Sequence, residues 1–235
     1  FFVFLLLTCA HIMCFSLELS CGAAAIGLVN SIFVYYKTKN IPVVSCTLFF
    51  FLMEVLQVAQ YYYIDQCSLP LNQFLTILGL LHIAFQPCFS NLAMYGLCRD
   101  RLEDREEAKY AIRLSFLAGC ALFARWIFAG YASFPFPNGA NASSEWMVGP
   151  RTCSFTGPTH VGWELPMIEV SYFSPSFFIH LFCMFAPLFL MSLKSRFHMM
   201  KFGLTGSFLF LTGPVLAAYI TNDRFEQPAV WCFFS

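Results

Sequence analysis

The chain has 235 residues, of which 59% are hydrophobic and only 11% are charged. Most soluble folds are excluded, because a soluble domain carries about 25% charged residues and about 45–50% apolar ones. Thirteen basic residues balance thirteen acidic ones; without a basic excess, no nucleic-acid partner is expected. The composition therefore indicates an all-α bundle of transmembrane helices, surrounded by a lipid bilayer.

Long apolar segments separated by polar joints predict six membrane-spanning helices in one helical domain over residues 1–235. The expected spans are 17–36, 41–64, 71–98, 110–130, 166–193 and 203–220. The apolar stretch 1–15 is too short to span alone and is expected to lead into the first helix from the outer side. Residues 231–235 are apolar and begin a further segment, which predicts a truncated or re-entrant seventh helix.

The distribution of Lys and Arg predicts the orientation of the chain. Ten of the 13 basic residues lie in the first, third and fifth joints or just inside helix 4. These joints are therefore expected on the cytoplasmic side, with the N-terminus and the loop 131–165 on the outer or lumenal side. The mixed-charge segment 99–109 is interpreted as a solvated, salt-bridged extension of helix 4.

Two features of the outer joints agree with this orientation. Asn141 opens a glycosylation sequon in the long outer loop. Cys67 and Cys153 are the cysteines of the two outer joints that lie outside the predicted helices, so we expect a disulfide between them. No cysteine or histidine spacing is typical of a zinc finger.

Three ionisable side chains are expected near the middle of the bilayer. At a rise of about 1.5 Å per residue, Glu54 lies about 15 Å, His82 about 16 Å and His180 about 21 Å from the outer ends of their helices. The hydrocarbon core is about 30 Å thick, so all three fall near its midplane. Ionisable residues at this depth are costly and indicate a functional site by default.

Each of these residues belongs to a polar stripe at helical spacing. Helix 2 carries Glu54, Gln57, Tyr61 and Asp65; helix 3 carries Asn72, Gly79, His82, Gln86 and Ser90; helix 5 carries Glu169, Ser176, His180, Cys183 and Pro187. Three stripes at one depth predict a shared interior cavity. Its candidate cofactor-binding residues are Glu54, Gln57, His82, Gln86 and His180.

Several interpretations of this cavity are open. The imidazoles could ligate a haem or, with Gln and Glu, a chlorophyll-type pigment, and Phe-rich walls would suit a carotenoid. His82, His180 and Glu54 could instead hold a divalent metal, as in an intramembrane hydrolase. The same groups could relay protons or ions, or join helices through hydrogen bonds worth about 1 kcal/mol or less each. We favour a non-enzymatic component that binds a cofactor, pigment or lipid, or that anchors a larger complex with other membrane subunits.

Residues near the helix ends are interpreted without a function. His160, Trp163 and Glu164 are expected to form an aromatic anchor at the outer interface, just before helix 5. Arg125 is expected to reach from helix 4 towards the membrane surface. His198, in the fifth joint, carries no functional signal.

Five short sequences carry a resemblance to a known family: MCFS at 13–16, FLMEVLQ at 51–57, LHIAFQP at 81–87, HLFCMFAP at 180–187 and WCFFS at 231–235. They resemble motifs of a family of uncharacterised eukaryotic multi-pass membrane proteins of unknown function. The resemblance covers nearly the whole chain from Met13. It implies a helical membrane bundle and no activity.

Two better-known architectures match the sequence in part. A seven-helix receptor would share the outer N-terminus, a Cys67–Cys153 bridge and the Arg99-Asp100 pair at the inner end of helix 3. The chain lacks the usual Asp-Arg-Tyr order and an Asn-Pro-x-x-Tyr motif, which weakens this match. A receptor or channel is therefore kept only as an alternative. Membrane hydrolases of the ceramidase and adiponectin-receptor type need a His-x-x-x-His pair, which the chain lacks.

Overall fold

The computed structural model describes residues 16–98, 102–131, 145–168 and 177–234. The helices in these ranges are α1 (Leu17–Thr38), α2 (Ile41–Tyr62), α3 (Pro70–Leu97), α4 (Leu102–Tyr131), α5 (Phe177–Ser192), α6 (Arg196–Ile220) and α7 (Gln227–Phe234). Helix α6 contains two π-helical turns, Met199–Gly203 and Leu211–Val215. Strands β1 (Cys153–Thr156) and β2 (Val161–Glu164) pair antiparallel, with Cys153 opposite Glu164 and Thr156 opposite Val161.

The prediction of an all-α bundle of apolar helices is confirmed. Among the described residues, five helices are long and apolar enough to cross a membrane: α1, α2, α3, α6 and the segment Leu102–Ala129 of α4. Helix α5 is equally apolar and has 16 residues. These features are those of an integral membrane protein, because a helix needs about 20 apolar residues to cross the hydrocarbon core.

Local sequence signals set several of the helix ends. Ser16 caps α1, its hydroxyl accepting a hydrogen bond from the backbone N–H of Leu19. At the other end of α1, Lys39 adopts the left-handed conformation with φ 49° and ends the helix. Pro70 stands in the first turn of α3, where its missing N–H leaves no helical hydrogen bond unmade.

The starts of two helices can be compared with the predictions. Helix α4 begins at Leu102, so its charged first turns are helical, as predicted for the extension within segment 99–109, and lie beyond the apolar part of the helix. Glu103 and Asp104 in that first turn also suit the positive end of the helix dipole. The predicted start of the fifth helix at residue 166 is wrong: residues 161–164 form β2, and residues 166–168 form no helix.

Successive long helices run antiparallel, so the bundle has two ends. We call the end with the β1–β2 hairpin the disulfide end, because the predicted disulfide between Cys67 and Cys153 is present there. We call the other end, with the α1–α2, α3–α4 and α5–α6 joints, the basic end. Helix α7 starts at the disulfide end and packs against α2, α6 and β2.

The main hydrophobic core lies beneath the hairpin. Trp163 of β2 is fully buried and packs with Met53 of α2 and with Leu80 and Ile83 of α3. A second cluster forms around Trp231 of α7, with Met184, Phe185, Ala217 and Val230. The hairpin and α7 thus fill the disulfide half of the bundle, and they bring α7 against the polar faces of the helices.

Candidate functional site

One face of α2 carries three buried polar residues at a spacing of three. Glu54 is 7% exposed, and Gln57 and Gln60 are fully buried. The side-chain N–H of Gln57 donates a hydrogen bond to the backbone carbonyl of Ala229 in α7, at 3.2 Å. The Glu54 carboxyl lies close enough to the Cys232 thiol of α7 to interact with it electrostatically. This face of α2 therefore looks onto α7.

Helix α3 contributes His82 and Gln86, which are four residues apart and lie on one face. His82 is 8% exposed and Gln86 is fully buried. The ring of Phe49 stacks on the His82 imidazole, with ring centroids 3.7 Å apart. Phe50 meets the same imidazole edge-on at 6.4 Å. Aromatic side chains of α2 therefore hold the His82 ring in place.

Helix α5 contributes His180, which is 3% exposed. Its imidazole meets the indole ring of Trp231 edge-on, with centroids 5.0 Å apart. His180 also interacts electrostatically with His82 across the α3–α5 contact. Glu54, Gln57, His82, Gln86 and His180, which we call the polar cluster, thus face the interior from three helices, and α7 lies against two of these helices.

The members of the polar cluster share an unusual property: each has buried polar atoms without a hydrogen-bond partner. These atoms are Oε2 of Glu54, Oε1 of Gln57, Nε2 of His82, both amide atoms of Gln86 and both ring nitrogens of His180. Leaving one buried polar group unpaired costs about 1–3 kcal/mol, and lipid offers no water to compensate. The polar cluster therefore contains seven buried polar atoms without a hydrogen-bond partner.

The predicted metal set fits this geometry poorly. Within the described ranges, no group of three or more His, Cys, Asp or Glu side chains is placed to hold a metal ion. His82, His180 and Glu54 accordingly do not form a three-ligand site. Haem, chlorophyll-type pigment and carotenoid stay predictions, because they depend on one or two ligands and on the shape of the walls.

The disulfide end is joined to the helices by a dense polar network. Asn72 of α3 pairs with Ser154 of β1 in both directions, donating to its carbonyl at 2.8 Å and accepting from its N–H at 3.0 Å. Asp65 accepts from the N–H of Thr156 at 2.8 Å. The Trp163 indole N–H donates to Gln60 at 3.0 Å. The hairpin is therefore a fixed cover over the α2–α3 end of the bundle.

The expectation of an interfacial anchor before helix 5 is wrong. His160, Trp163 and Glu164 are all at least 96% buried, because the hairpin folds inwards onto the helices. His160 accepts or donates a hydrogen bond with the Tyr61 hydroxyl at 2.7 Å, and Glu164 forms an ion pair with Arg151 at 2.8 Å. Burial lowers the pKa of His160 to about 3, since the charged imidazolium would lose its hydration.

Arg125 is also buried within the protein, at 5% exposure. Its guanidinium makes a bidentate ion pair with Glu145 at 2.7 and 2.8 Å, and it donates to the carbonyl of Ile168.

The sequon residue Asn141 lies outside the described residues. An open pocket of about 640 Å³ lies beside the hairpin, lined in part by Arg151, Phe155 and Arg224.

Sequence reasoning missed two contributions. His198 was given no role, yet its ring bridges Asp104 of α4 at 2.8 Å and Ser195 at 2.6 Å, which ties α4 to the start of α6. The contact joins residues 94 positions apart, so no local sequence pattern predicts it. Helix α7, whose existence was predicted from residues 231–235, supplies a wall of the polar cluster, and no sequence pattern predicted that contact.

A comparison with known families identifies the family of the chain. The model of a family of unknown function, DUF5765, matches residues 18–235, so the chain belongs to that family. No curated protein matches the chain. No solved structure matches it either.

Proposed function

We propose that this member of DUF5765 is a membrane-embedded binding protein that holds a small hydrogen-bonding ligand in the polar cluster. The single observation that carries the proposal is the set of seven unpartnered polar atoms on Glu54, Gln57, His82, Gln86 and His180. Most buried polar groups in proteins are hydrogen-bonded. A ligand that pairs with these atoms would remove their cost and would be held firmly.

Other buried polar groups of the chain differ from the polar cluster because they are hydrogen-bonded. Asn91 of α3 is equally buried but donates to Ser115 and to the carbonyl of Cys183, at 2.8 and 2.9 Å. Gln60 is satisfied at both ends by Leu75 and Trp163. Asn91 and Gln60 are therefore examples of polar residues that only join helices, because their amides are hydrogen-bonded within the protein. The polar cluster differs, because its unpartnered atoms are available to a ligand.

The test compares two glutamine variants on one helix. Gln86→Met removes the unpartnered amide inside the cluster. Gln73→Met, the matched control, removes an amide of α3 that donates to the carbonyl of Cys67 outside the cluster. Each protein is purified in mild detergent from the same cells, and its absorption spectrum and the mass spectrum of its denatured extract are recorded.

We expect a stoichiometric small molecule with the wild type and with Gln73→Met, and its loss from Gln86→Met. A visible absorption band would identify that molecule as a haem or pigment. Equal extracts from the two variants would contradict the proposal. Copurifying protein subunits without a small molecule would favour the structural role in a larger complex.

The disulfide end favours a receptor as a second candidate. The Cys67–Cys153 bridge joins the residues just before α3 to a hairpin on the way to α5, and α7 adds a seventh helix. A receptor passes a change at its ligand site to the far end of the bundle. Addition of the extracted ligand should then alter hydrogen exchange at the α3–α4 and α5–α6 joints, whereas a simple carrier should show no change there.

A further inference from the structure

We propose that the ligand of the polar cluster is a small organic ammonium ion and that the Glu54 carboxylate is its counter-ion. This inference rests on the proposed function, because it names the chemical class of the molecule that the cluster would hold. The reasons lie in the partners of the buried acids, the chemistry of the free atoms on α2 and the surrounding side chains.

Glu54 differs from the other buried acids in the described ranges. Asp104 pairs with Lys194 and His198, and Glu164 pairs with Arg151. Glu226 has no cation beside it but accepts hydrogen bonds from two backbone N–H groups and two hydroxyls. Oε2 of Glu54, by contrast, has neither a cation nor a hydrogen-bond donor. A buried carboxylate without either is costly, so it calls for a positive partner.

The unpartnered atoms on α2 are both acceptors. Gln57 has already used its donor on Ala229, which leaves only its oxygen Oε1 unpaired. Glu54 and Gln57 are three residues apart, about 4.5 Å along the helix axis, and lie on one face. Two acceptor oxygens on one face suit a guest that is rich in N–H donors.

Within the described part of the chain, the helices that surround these oxygens, α2, α3, α5 and α7, supply no Lys or Arg. A bare metal ion would need three or more ligands, which the described residues do not group. An organic ammonium ion needs fewer protein ligands, because its N–H groups can donate hydrogen bonds to the oxygens of Glu54 and Gln57.

The surrounding rings suit the same guest. Phe49 and Phe50 flank His82, and Trp231 stands beside His180. Aromatic faces attract organic cations, by about 2 kcal/mol or more where water is absent. Phe50 lies one helical turn before Glu54 on α2, so an aromatic ring and the carboxyl group together suit an ammonium group on a short apolar stem.

The test uses phenethylammonium chloride and its neutral counterpart phenethyl alcohol as probes. Both are titrated onto the purified full chain in detergent, after the native ligand has been washed out, and thermal unfolding is followed. The variant is Glu54→Gln, which keeps the shape and removes the charge. Glu18→Gln, at the start of α1, is the matched control because it makes the same change at a site away from the cluster.

We expect the ammonium to raise the Tm of the wild type and of Glu18→Gln saturably, and the alcohol to have no such effect. In Glu54→Gln the apparent affinity for the ammonium should fall by about thirtyfold or more, as when one partner of a buried charge pair is removed. Where Glu54→Gln does not fold, Glu54→Asp withdraws the charge by one methylene and should weaken binding in the same direction.

The inference is overturned if the alcohol stabilises the wild type as well as the ammonium does, if neither probe stabilises it, or if Glu54→Gln keeps its affinity. Each of these results leaves the binding site itself standing, provided that Gln86→Met still loses the native molecule. Failure of the proposed function has a different signature, since Gln86→Met and Gln73→Met would then give the same extract.

Discussion

Gln60 and Gln86 are both fully buried glutamines, but their amides have opposite surroundings. Both ends of the Gln60 amide are hydrogen-bonded, at 3.0 Å to the carbonyl of Leu75 and at 3.0 Å from the indole of Trp163. Both ends of the Gln86 amide are unpaired. The same substitution should therefore have different consequences at the two positions.

In protein stripped of its ligand, Gln60→Met should lower the free energy of unfolding by about 1–3 kcal/mol, because it leaves the buried Trp163 N–H without its acceptor. Gln86→Met should be neutral or stabilising, since it removes unpaired polar atoms and keeps the side-chain volume. Thermal unfolding of both variants in one detergent measures the difference. Equal losses at the two positions would show that the Gln86 amide has a partner after all.

His160 gives the hairpin a pH dependence of known sign. Its pKa is about 3 in the folded protein and about 6.5 in an unfolded chain. Between these values the unfolded chain binds a proton that the folded chain does not. Stability is therefore greatest above pH 6.5 and falls as the pH is lowered towards 3.

From pH 7 to pH 5 the hairpin should lose about 1–2 kcal/mol, at up to about 1.4 kcal/mol per pH unit below 6.5. Hydrogen exchange of the β1 and β2 amides measures the loss. His160→Gln can keep a hydrogen bond to Tyr61 but cannot titrate, so its pH dependence should be smaller. An unchanged slope in that variant would assign the effect to other groups.

At the scale of elements, the hairpin is held to α3 and to the α2–α3 joint by one covalent bond and several hydrogen bonds. The Cys67–Cys153 disulfide closes a loop with a sequence separation of 86 residues. Long loops gain the most from closure, and native disulfides are worth about 2–4 kcal/mol. The Asn72–Ser154 and Asp65–Thr156 hydrogen bonds stay in place when the disulfide is removed.

Replacing both Cys67 and Cys153 by Ser should therefore loosen the hairpin without unfolding the helices. We expect faster hydrogen exchange in β1 and β2, with little change in α3. Cys88→Ser is the control, because Cys88 is a free cysteine of α3. If the double variant exchanged as slowly as the wild type, the hydrogen bonds alone would be sufficient to hold the hairpin.

The basic end shows how an apparently exposed segment becomes structural. Lys194 forms ion pairs with Asp104 and Glu107, at 2.9 and 2.7 Å. Burial opposes the charge on Lys194, but these two carboxylates outweigh it and raise the pKa of the ammonium group. Together with His198, this contact fixes the α5–α6 joint against the first turn of α4.

For the whole molecule, the Lys and Arg bias predicts the orientation in the membrane, and this prediction can be tested directly. Pro150 is exposed at the disulfide end and Glu106 is exposed at the basic end. In sealed vesicles that expose the outer or lumenal face of the native membrane, a membrane-impermeant thiol reagent should label Pro150→Cys and should label Glu106→Cys only after permeabilisation. Wild-type protein, with its own cysteines, gives the background. The reverse pattern would invert the proposed orientation.

The fold class and the burial of the five polar-cluster side chains were predictable because both depend on periodic signals. Apolar runs of about 20 residues mark membrane helices wherever they occur, and a buried polar residue interrupts such a run visibly. Cys67 and Cys153 were predictable by their place outside the helices. The hairpin was not, because strands of four residues in a long loop give too few alternations to recognise.

The sequence alone determined that this chain is a helical membrane protein with ionisable groups inside the apolar helices. Hydrophobicity along a helix is a local property and needs no knowledge of neighbours. The tertiary structure decided which of the buried polar groups have partners: Gln60 meets Trp163, whereas the amide of Gln86 has no hydrogen-bond partner. Partnership depends on contacts between residues far apart in the chain, such as Gln57 with Ala229, and only packing sets those contacts.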